Sequence, residues 1–269
     1  MSEKDDKQLI RDYYNTNPFR EWERLLRHPS EFYVTTRMMD RYIQPGQKVL
    51  DIGGGPGRYA LYYAKRGCEV TLVDLSEANV QFALRKAQEE GIQLTTFQGD
   101  ALEISNLVDT QFDHVLNMVP LYHILEEEGR VRCVEESLKV LKPGGNFYAA
   151  FLLMFSGMIY MLSLAPSLIV NEEETPFLNA VLNKKSYGGD AFTRAYFIDQ
   201  DEILPFMQPF GLEQLHFFGQ EGILSPFSGI VNMQPKYIRE QWLDITYQLI
   251  ERPEFLSYSQ HAMYIGRKR

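Results

Sequence analysis

This 269-residue chain has few cysteines and no net positive charge. Its two cysteines, Cys68 and Cys133, lack the spacing of metal ligands and predict buried thiols in a reducing compartment. Asp and Glu outnumber Lys and Arg by 36 to 27, and the resulting net charge of −9 argues against a general nucleic-acid partner. The polar start MSEKDDKQLIRDYY predicts no signal peptide, so we expect a cytoplasmic protein.

Long apolar runs are also scarce. The exception covers residues 147–170, which carry no charge and are numerous enough to cross a bilayer. Ser156, Gly157 and Pro166 interrupt the run. A hydropathy window cannot separate a membrane span from a buried strand followed by a buried helix, and we expect the strand and helix.

The middle of the chain alternates short apolar runs with helix-forming segments. Strands are predicted at residues 48–53, 68–75, 92–100, 112–119 and 146–153. Helices are expected between them, from about 58 to 66, from Ser76 to Gly91 and from about 126 to 141. Strands joined by helical crossovers form a mostly parallel sheet, and such sheets bind ligands beyond the carboxyl ends of their strands.

Glycine is concentrated directly after the first strand, in the stretch VLDIGGGPGRYA. Gly53, Gly55 and Gly57 let the backbone turn sharply and approach a ligand closely. The helix that follows points its free N–H groups at this turn. The spacing fits G-x-G-x-G after an acidic residue, Asp51. A dinucleotide-binding turn would need a small residue in place of Arg58, which disfavours a nicotinamide-dependent oxidoreductase.

Five motifs in register resemble those of the class I S-adenosylmethionine-dependent methyltransferases. They lie within about residues 45–153, in the family's order and spacing: VLDIGGGPG, VTLVDLS, FQGDALEI, FDHVLNMVPLYHI and LKPGGNFYAAF. The resemblance implies an α/β fold with a doubly wound, Rossmann-like sheet of seven strands, mostly parallel with an antiparallel last strand, plus a helical cap. It places the sixth strand near residues 212–219 and the last near 261–268.

We expect a single methyltransferase domain over residues 1–269. Its parts would be an N-terminal helical lid (1–44), the cofactor-binding core (45–153), an inserted cap (154–198) and the C-terminal part of the sheet with its helices (199–269). In this family the acceptor specificity is built outside the shared core. The apolar, Met-rich cap suits an apolar acceptor, although helix packing on the core or at a dimer interface would explain it equally.

The resemblance also implies which residues hold S-adenosylmethionine and its product, S-adenosylhomocysteine. Asp74 would accept hydrogen bonds from both ribose hydroxyls, and Asp100 one from the adenine amino group, although both carboxylates also suit local turns and caps. Asp51 would hold the glycine turn or the cofactor's ammonium group, and Asn117 would lie near the sulfonium. The full cofactor set is Asp51, Gly53, Gly55, Gly57, Asp74, Leu75, Asp100, Ala101, Asn117, Tyr14, Arg20 and Arg37. The last three are lid residues that would meet the cofactor's carboxylate, yet each type is more often found on the surface.

Methyl transfer from a sulfonium needs an aligned acceptor, exclusion of water and, for a protic acceptor, a base. His123 is the candidate catalytic base, because it follows the fourth strand on the side where the methyl group should emerge and its ordinary pKa suits proton removal near neutral pH. A structural histidine at the start of the next helix is the alternative. Tyr122 and Tyr196 are candidate acceptor-binding residues or ordinary packed aromatics. No metal site is predicted.

The sequence therefore predicts a methyltransferase, monomeric or homodimeric, that acts on a small, partly apolar molecule. Two alternatives stay open. Methyltransferases for RNA or protein share the core, although the stretch NMVPLY after the fourth strand departs from the N/D-P-P-Y/F pattern of amino-methylating enzymes. A non-catalytic scaffold that binds S-adenosylmethionine would keep the same glycine and Asp74 signals.

Overall fold

Short strands alternate with helices through the middle of the chain, as the sequence predicts. The computed structural model describes residues 3–27 and 29–269. Its α-helices are α1 (Glu3–Thr16), α2 (Pro18–Arg27), α3 (Pro29–Met39), α4 (Arg58–Lys65), α5 (Glu77–Glu89), α6 (Ile104–Leu107), α7 (Glu127–Lys139), α8 (Met154–Leu164), α9 (Thr175–Leu182), α10 (Gln200–Met207), α11 (Ser228–Asn232) and α12 (Lys236–Leu249). Its strands are β1 (Lys48–Ile52), β2 (Glu69–Asp74), β3 (Thr95–Gln98), β4 (Phe112–Asn117), β5 (Leu141–Leu153), β6 (Tyr187–Asp190), β7 (Arg194–Ile198), β8 (Glu213–Gly219) and β9 (His261–Arg267).

The sheet places β1 at its centre. β1 pairs in parallel with β2 and β4, and β2 pairs in parallel with β3. β5 pairs in parallel with β4 and antiparallel with β9, which in turn pairs antiparallel with β8. The order β3-β2-β1-β4-β5-β9-β8 confirms the predicted, mostly parallel sheet with an antiparallel last strand.

The predicted number of strands is wrong, because the described chain has nine strands instead of seven. The two additional strands, β6 and β7, form an antiparallel hairpin in which Tyr187 lies opposite Phe197. β7 also pairs in parallel with the last two residues of β5. This hairpin lies within residues 154–198, so the insertion is not the purely helical cap that we expected. The β6 sequence YGGD gives no strand signal, because two glycines occupy positions where β-branched or aromatic residues are usual.

Alternating apolar side chains of the central strands build a core on both faces of the sheet. Val49 and Leu116 pack on the face that carries α4, whereas Leu50 and Val115 pack on the opposite face with residues of α7. This follows from the two-residue period of a strand. The same period places Asn117 on the face of Val115.

The apolar run at residues 147–170 divides between the end of β5, the helix α8 and a short 3₁₀ turn at Pro166–Val170. Within the described ranges, no helix is both long and apolar enough to cross a bilayer. The expectation of a strand followed by a helix is therefore confirmed.

Candidate functional site

The glycine turn after β1 packs so closely on its surroundings that side chains would not fit. Gly53 and Gly57 have φ angles of +65° and +88°. A Cβ atom on Gly53 would lie 2.8 Å from the Pro120 ring, and one on Gly57 would lie 2.9 Å from the Cβ of Ala83. Gly55 is different, because its nearest neighbour would be Asn79 Nδ2 at 4.0 Å. The turn is therefore tight against β4 and α5 but open above Gly55.

Asp74 at the end of β2 joins this turn to the start of α5. Its Oδ2 accepts the backbone N–H of Gly55 at 2.8 Å, and its Oδ1 accepts the backbone N–H of Ser76 at 2.8 Å and the Asn79 amide at 3.2 Å. Burial raises the pKa of Asp74, and these three hydrogen bonds partly offset the rise. A carboxylate offers about four lone-pair sites, so Asp74 keeps capacity for one further donor.

Asp51 lies buried beneath the glycine turn. A Cβ atom on Gly54 would come within 2.7 Å of Asp51 Oδ2, and that oxygen has no hydrogen-bond partner in the described part of the chain. Burial, together with the nearby carboxylate of Asp74, raises the pKa of Asp51 to about 7. Buried polar atoms without partners are rare in native proteins, so Asp51 Oδ2 indicates a place where a donor or a cationic group would be stabilised.

Asp100 follows β3 at the same edge of the sheet. Its Oδ1 accepts the backbone N–H of Leu102 at 3.0 Å, which is the local cap that the sequence allowed. Its Oδ2 forms an ion pair with Lys7 of α1. Asp100 therefore combines the local cap with a position on the ligand side of the sheet.

A cavity lies between this edge of the sheet and α1, and it holds about 880 Å³ of empty space including its mouth. The sheet side contributes Gly53, Asp74, Leu75, Ser76, Asp100, Ala101, Leu102, Val119, Pro120, His123, Ile124, Leu125 and Glu126. The helix α1 contributes Asp6, Lys7, Ile10, Arg11 and Tyr14. The cavity brings together five of the predicted cofactor residues from the core and Tyr14 from the lid.

Helix α1 is held over the cavity by hydrogen bonds along its length. Besides the pair between Lys7 and Asp100, the Ser76 hydroxyl donates to Asn15 Oδ1 at 2.7 Å. Sequence reasoning missed the α1 residues that precede Tyr14. Lys7, Ile10 and Tyr14 follow a helical spacing of three and four residues, and this spacing could have placed all three on the face of Tyr14.

His123 lies at the far end of the cavity, buried and fully hydrogen-bonded. Its Nδ1 lies 2.8 Å from the backbone carbonyl of Arg194, and its Nε2 lies 2.7 Å from the Tyr14 hydroxyl. Because a carbonyl only accepts, Nδ1 carries the hydrogen and Nε2 accepts from Tyr14. Burial lowers the pKa of His123 to about 4, so the ring is neutral at pH 7.

Comparison with known proteins adds to this geometry. A sequence model of the methyltransferase domain matches residues 49–145. A ubiquinone biosynthesis O-methyltransferase from Methylocella silvestris is 32% identical over 146 residues, which cover 50% of this chain and 56% of that protein. The solved structure of 1,6-didemethyltoxoflavin-N1-methyltransferase from Burkholderia thailandensis matches with a TM-score of 0.61 at 14% identity, over 100% of this chain and 91% of that one. Magnesium protoporphyrin IX methyltransferase from Synechocystis matches with a TM-score of 0.58 at 17% identity, over 98% of this chain and 100% of that one.

Residues 49–145 of this chain are a methyltransferase domain, and the solved structures share the fold of class I S-adenosylmethionine-dependent methyltransferases. The family indicated by the five sequence motifs is thereby confirmed. The aligned part spans a little over half the length of the curated relatives, and the solved structures share the fold at low identity. The acceptors in their names are therefore properties of those proteins.

Six of the predicted cofactor residues are absent from the lining of the cavity: Asp51, Gly55 and Gly57 lie in or beneath the glycine turn beside it, whereas Asn117, Arg37 and Arg20 lie elsewhere. Asn117 faces α7, where its amide donates to the Ser137 hydroxyl at 3.0 Å and to Cys133 Sγ at 3.1 Å. The cause is its position on the face of β4 that packs against α7. Arg37 pairs with Asp244 of α12, and Arg20 is exposed on α2; neither lines the cavity.

The two predicted acceptor-binding tyrosines are also absent from the lining of the cavity. Tyr122 is buried in an apolar cluster with Met154, Met161, Phe177 and Phe197 of the inserted segment, although its ring centre is 4.8 Å from that of His123. Tyr196 lies under the guanidinium of Arg130, 3.6 Å from ring centre to Cζ. Tyr122 is thus next to the cavity, whereas Tyr196 packs as an ordinary aromatic.

Proposed function

We propose that this chain transfers a methyl group from S-adenosylmethionine to a small, partly apolar molecule. The observation that carries the proposal is one continuous cavity beneath α1, with Gly53 and Asp74 at one end and Tyr14 and His123 at the other. The first end offers backbone and carboxylates, which suit a nucleoside. The second end offers apolar surface with a few convergent polar groups, which is typical of a small-molecule site.

The residues at the first end fit the cofactor. The open space above Gly55 would accommodate it, and the partnerless Oδ2 of Asp51 lies beneath the same turn. Asp74 would accept a ribose hydroxyl with its remaining lone pairs. When the cofactor binds, Asp100 would release Lys7 and accept a hydrogen bond from the adenine amino group. Ala101 would lie at the edge of the adenine ring. Asp51 would stabilise the turn or the ammonium group of the cofactor.

The bound sulfonium supplies an electrophilic methyl group with a neutral leaving group. The chain's own residues align the acceptor in line with that methyl group and exclude water. Helix α1 performs the second task, because its contacts through Tyr14 and Asn15 close the cavity from above. Much of the rate enhancement would therefore come from positioning rather than from one indispensable group.

The acceptor is proposed to be small because α1 lies across the route that a polymer would need. The cavity lining includes the apolar residues Val119, Pro120, Ile124 and Leu125, which suits an acceptor with an apolar part. Among the similar proteins, one is named for ubiquinone biosynthesis and one was crystallised with 1,6-didemethyltoxoflavin. The net charge of −9 disfavours RNA as the acceptor.

A calorimetric titration with S-adenosylhomocysteine tests the cofactor, with NAD as the control ligand. We expect saturable binding of the former and none of the latter. Methyl-labelled S-adenosylmethionine is then incubated with the protein and a cell extract, and the label is counted in small-molecule, RNA and protein fractions. Label in small molecules supports the proposal, and label in RNA or protein contradicts it. Binding without any label favours the scaffold alternative.

A further inference from the structure

Three buried charged or titratable side chains and one partly exposed arginine lie together beside the cavity, and the mechanism above uses none of them. They are Arg24 of α2, Glu31 of α3, Glu221 just after β8 and His261 at the start of β9. Glu31, Glu221 and His261 are respectively 5%, 2% and 8% exposed. Charged groups are almost never buried to this extent unless they are paired, and a buried polar cluster outside the core packing points to a function.

Hydrogen bonds fix the orientation of His261. Its Nδ1 lies 2.7 Å from Glu221 Oε1, and Glu221 Oε2 accepts the backbone N–H groups of Gln260 and His261 at 3.0 and 3.1 Å. Because a carboxylate only accepts, Nδ1 carries the hydrogen and Nε2 carries the lone pair. Nε2 of His123, by contrast, is occupied by the Tyr14 hydroxyl.

The cluster adjoins the acceptor end of the cavity. The ring centre of Tyr122 lies 4.8 Å from that of His123 and 5.7 Å from that of His261. His261 lies opposite Leu152 in the pairing of β9 with β5, at the carboxyl end of the parallel strands. Because β9 runs against the other core strands, its first residue reaches the edge where ligands of this fold bind.

We infer that His261, held by Glu221, is the base that receives the proton of the acceptor, and that the acceptor is a hydroxyl compound. This inference rests on the proposed methyl transfer. As the acceptor oxygen forms its bond to the methyl carbon, the carbon–sulfur bond breaks and its electron pair stays on sulfur. The hydroxyl proton moves to Nε2 of His261, and Glu221 stabilises the imidazolium. A hydroxyl group needs such a base near neutral pH, whereas a carboxylate or a neutral amine can attack without one.

The surroundings of the two histidines favour His261 for this task. Burial opposes a charge on His261, but Glu221 and then Glu31 outweigh burial and the opposing charge of Arg24, so the pKa of His261 is raised. The pKa of His123 is lowered to about 4 by burial, and its lone pair is already shared with Tyr14. His123 is better suited to position Tyr14 than to hold a proton.

Metal binding is the alternative function for this cluster. One donor atom from each of Glu31, Glu221 and His261 lies within 4.8 Å of the others. The hydrogen bonds argue against it. Both oxygens of Glu31 accept from Arg24, at 2.6 and 3.2 Å, and both oxygens of Glu221 are engaged as described. The charges balance as two pairs, Arg24 with Glu31 and His261 with Glu221, so a divalent cation would have to displace a guanidinium.

The test compares His261→Asn with His216→Asn in the full chain. His216 also pairs with a glutamate, Glu251, but its Nε2 is occupied by the Tyr42 hydroxyl, so it serves as the matched control. We expect His261→Asn to lower labelling of the small-molecule fraction about 100-fold while its affinity for S-adenosylhomocysteine stays within a few-fold of wild type. His216→Asn should change neither quantity. Hydriodic acid should release the wild-type label as methyl iodide, which marks an O-methyl product.

A second readout does not depend on turnover. In NMR titrations of the histidine rings, Glu221→Gln should lower the pKa of His261, and the same variant should move the rising limb of the labelling rate to lower pH. This variant also covers the case in which His261→Asn does not fold, which thermal melting reveals. An unchanged pKa in Glu221→Gln overturns the inference.

The remaining outcomes separate this inference from the proposed function. Labelling by His261→Asn within a few-fold of wild type, or a label that hydriodic acid leaves on nitrogen, overturns the base while methyl transfer stands. A saturable rise in the melting temperature with Mg²⁺ or Zn²⁺ that Glu31→Gln abolishes replaces the base with a metal site. No binding of S-adenosylhomocysteine by the wild type refutes the proposed function, and the inference with it.

Discussion

At the glycine end of the cavity a ligand would meet backbone groups and carboxylates from neighbouring strands, whereas at the far end it would meet side chains from distant segments. The bond from Gly55 to Asp74 joins residues 19 positions apart, and the bond between Tyr14 and His123 joins residues 109 positions apart. The first end is part of the sheet and its turns. The second end exists only after α1 and the β6–β7 hairpin have packed on the sheet. Changes at the first end should therefore affect stability and cofactor affinity, and changes at the second should mainly affect transfer to the acceptor.

The largest effect that we expect at the glycine end concerns Asp51. Its pKa is about 7 against an ordinary 3.8, so the folded state holds the proton more tightly than the unfolded state. Its contribution to stability is complete below pH 3.8 and is lost as the pH rises through 7. At about 1.4 kcal/mol per pKa unit, the loss is roughly 4 kcal/mol. Asp51→Asn should therefore stabilise the cofactor-free protein by up to that amount at pH 8.

Chemical denaturation at pH 5 and pH 8 measures this prediction. The gain from Asp51→Asn should be about 1.7 kcal/mol at pH 5, where the unfolded state has largely lost the proton that folded Asp51 keeps, and should reach its full value above pH 7. A gain that does not depend on pH would contradict the burial of an ionisable carboxylate at this position. The same variant should bind S-adenosylhomocysteine more weakly if Asp51 holds the ammonium group or the turn.

Gly57→Ala tests how closely the turn must pack. Gly57 and Gly46 have φ angles of +88° and +83°, but a Cβ atom on Gly57 would lie 2.9 Å from Ala83, whereas one on Gly46 would meet nothing within 4 Å. Both alanines cost about 1 kcal/mol or more for the left-handed conformation. Overpacking adds about 1–3 kcal/mol at Gly57 alone. Denaturant midpoints should show the difference, and equal losses would mean that α5 does not press on the turn.

Asp74→Ala should weaken binding of S-adenosylhomocysteine by about 1.5–3 kcal/mol, the usual value of a hydrogen bond to a charged group. The loss has two sources, because Asp74 contacts the ligand in our proposal and also holds Gly55 and Ser76 in place. Titration calorimetry measures it. Glu69→Ala, at the exposed start of the same strand, is the control and should leave affinity unchanged. Unaltered binding by Asp74→Ala would remove Asp74 from the cofactor site.

The comparison of the two ends also explains what the sequence can and cannot predict. β1, β2 and β4 are read from apolar runs that end in Asp51, Asp74 and Asn117, and the sheet places all three strands as predicted. The direction of the Asn117 side chain was missed, although the two-residue period from Val115 would have indicated the core face.

The far end is harder to predict, because its contacts depend on tertiary packing between segments with weak local signals. β6 was missed since its glycines carry no strand preference, and its partner β7, which carries the Arg194 carbonyl that orients His123, was missed with it. Glu221 and His261 lie 40 residues apart and meet only through the antiparallel last strand. The predicted antiparallel direction of that strand was the one signal that could have brought His261 to the ligand edge.

The smallest effect that we expect belongs to the far end, at the contact between α1 and the sheet. Tyr14→Phe removes the hydroxyl that donates to His123 Nε2 and keeps the ring that packs edge-on against it. Losing one hydrogen bond should cost about 0.5–1.5 kcal/mol of stability.

The affinity of Tyr14→Phe for S-adenosylhomocysteine should change little, because Asp74 and the glycine turn remain. Labelling of the small-molecule fraction should fall by more than the stability loss explains, since α1 would no longer hold Tyr14 at the acceptor end. Tyr13→Phe, one position along the same helix, is the control. If Tyr14→Phe weakened cofactor binding as strongly as Asp74→Ala, the two ends of the cavity would not be separable, and α1 would have to be counted as part of the cofactor site.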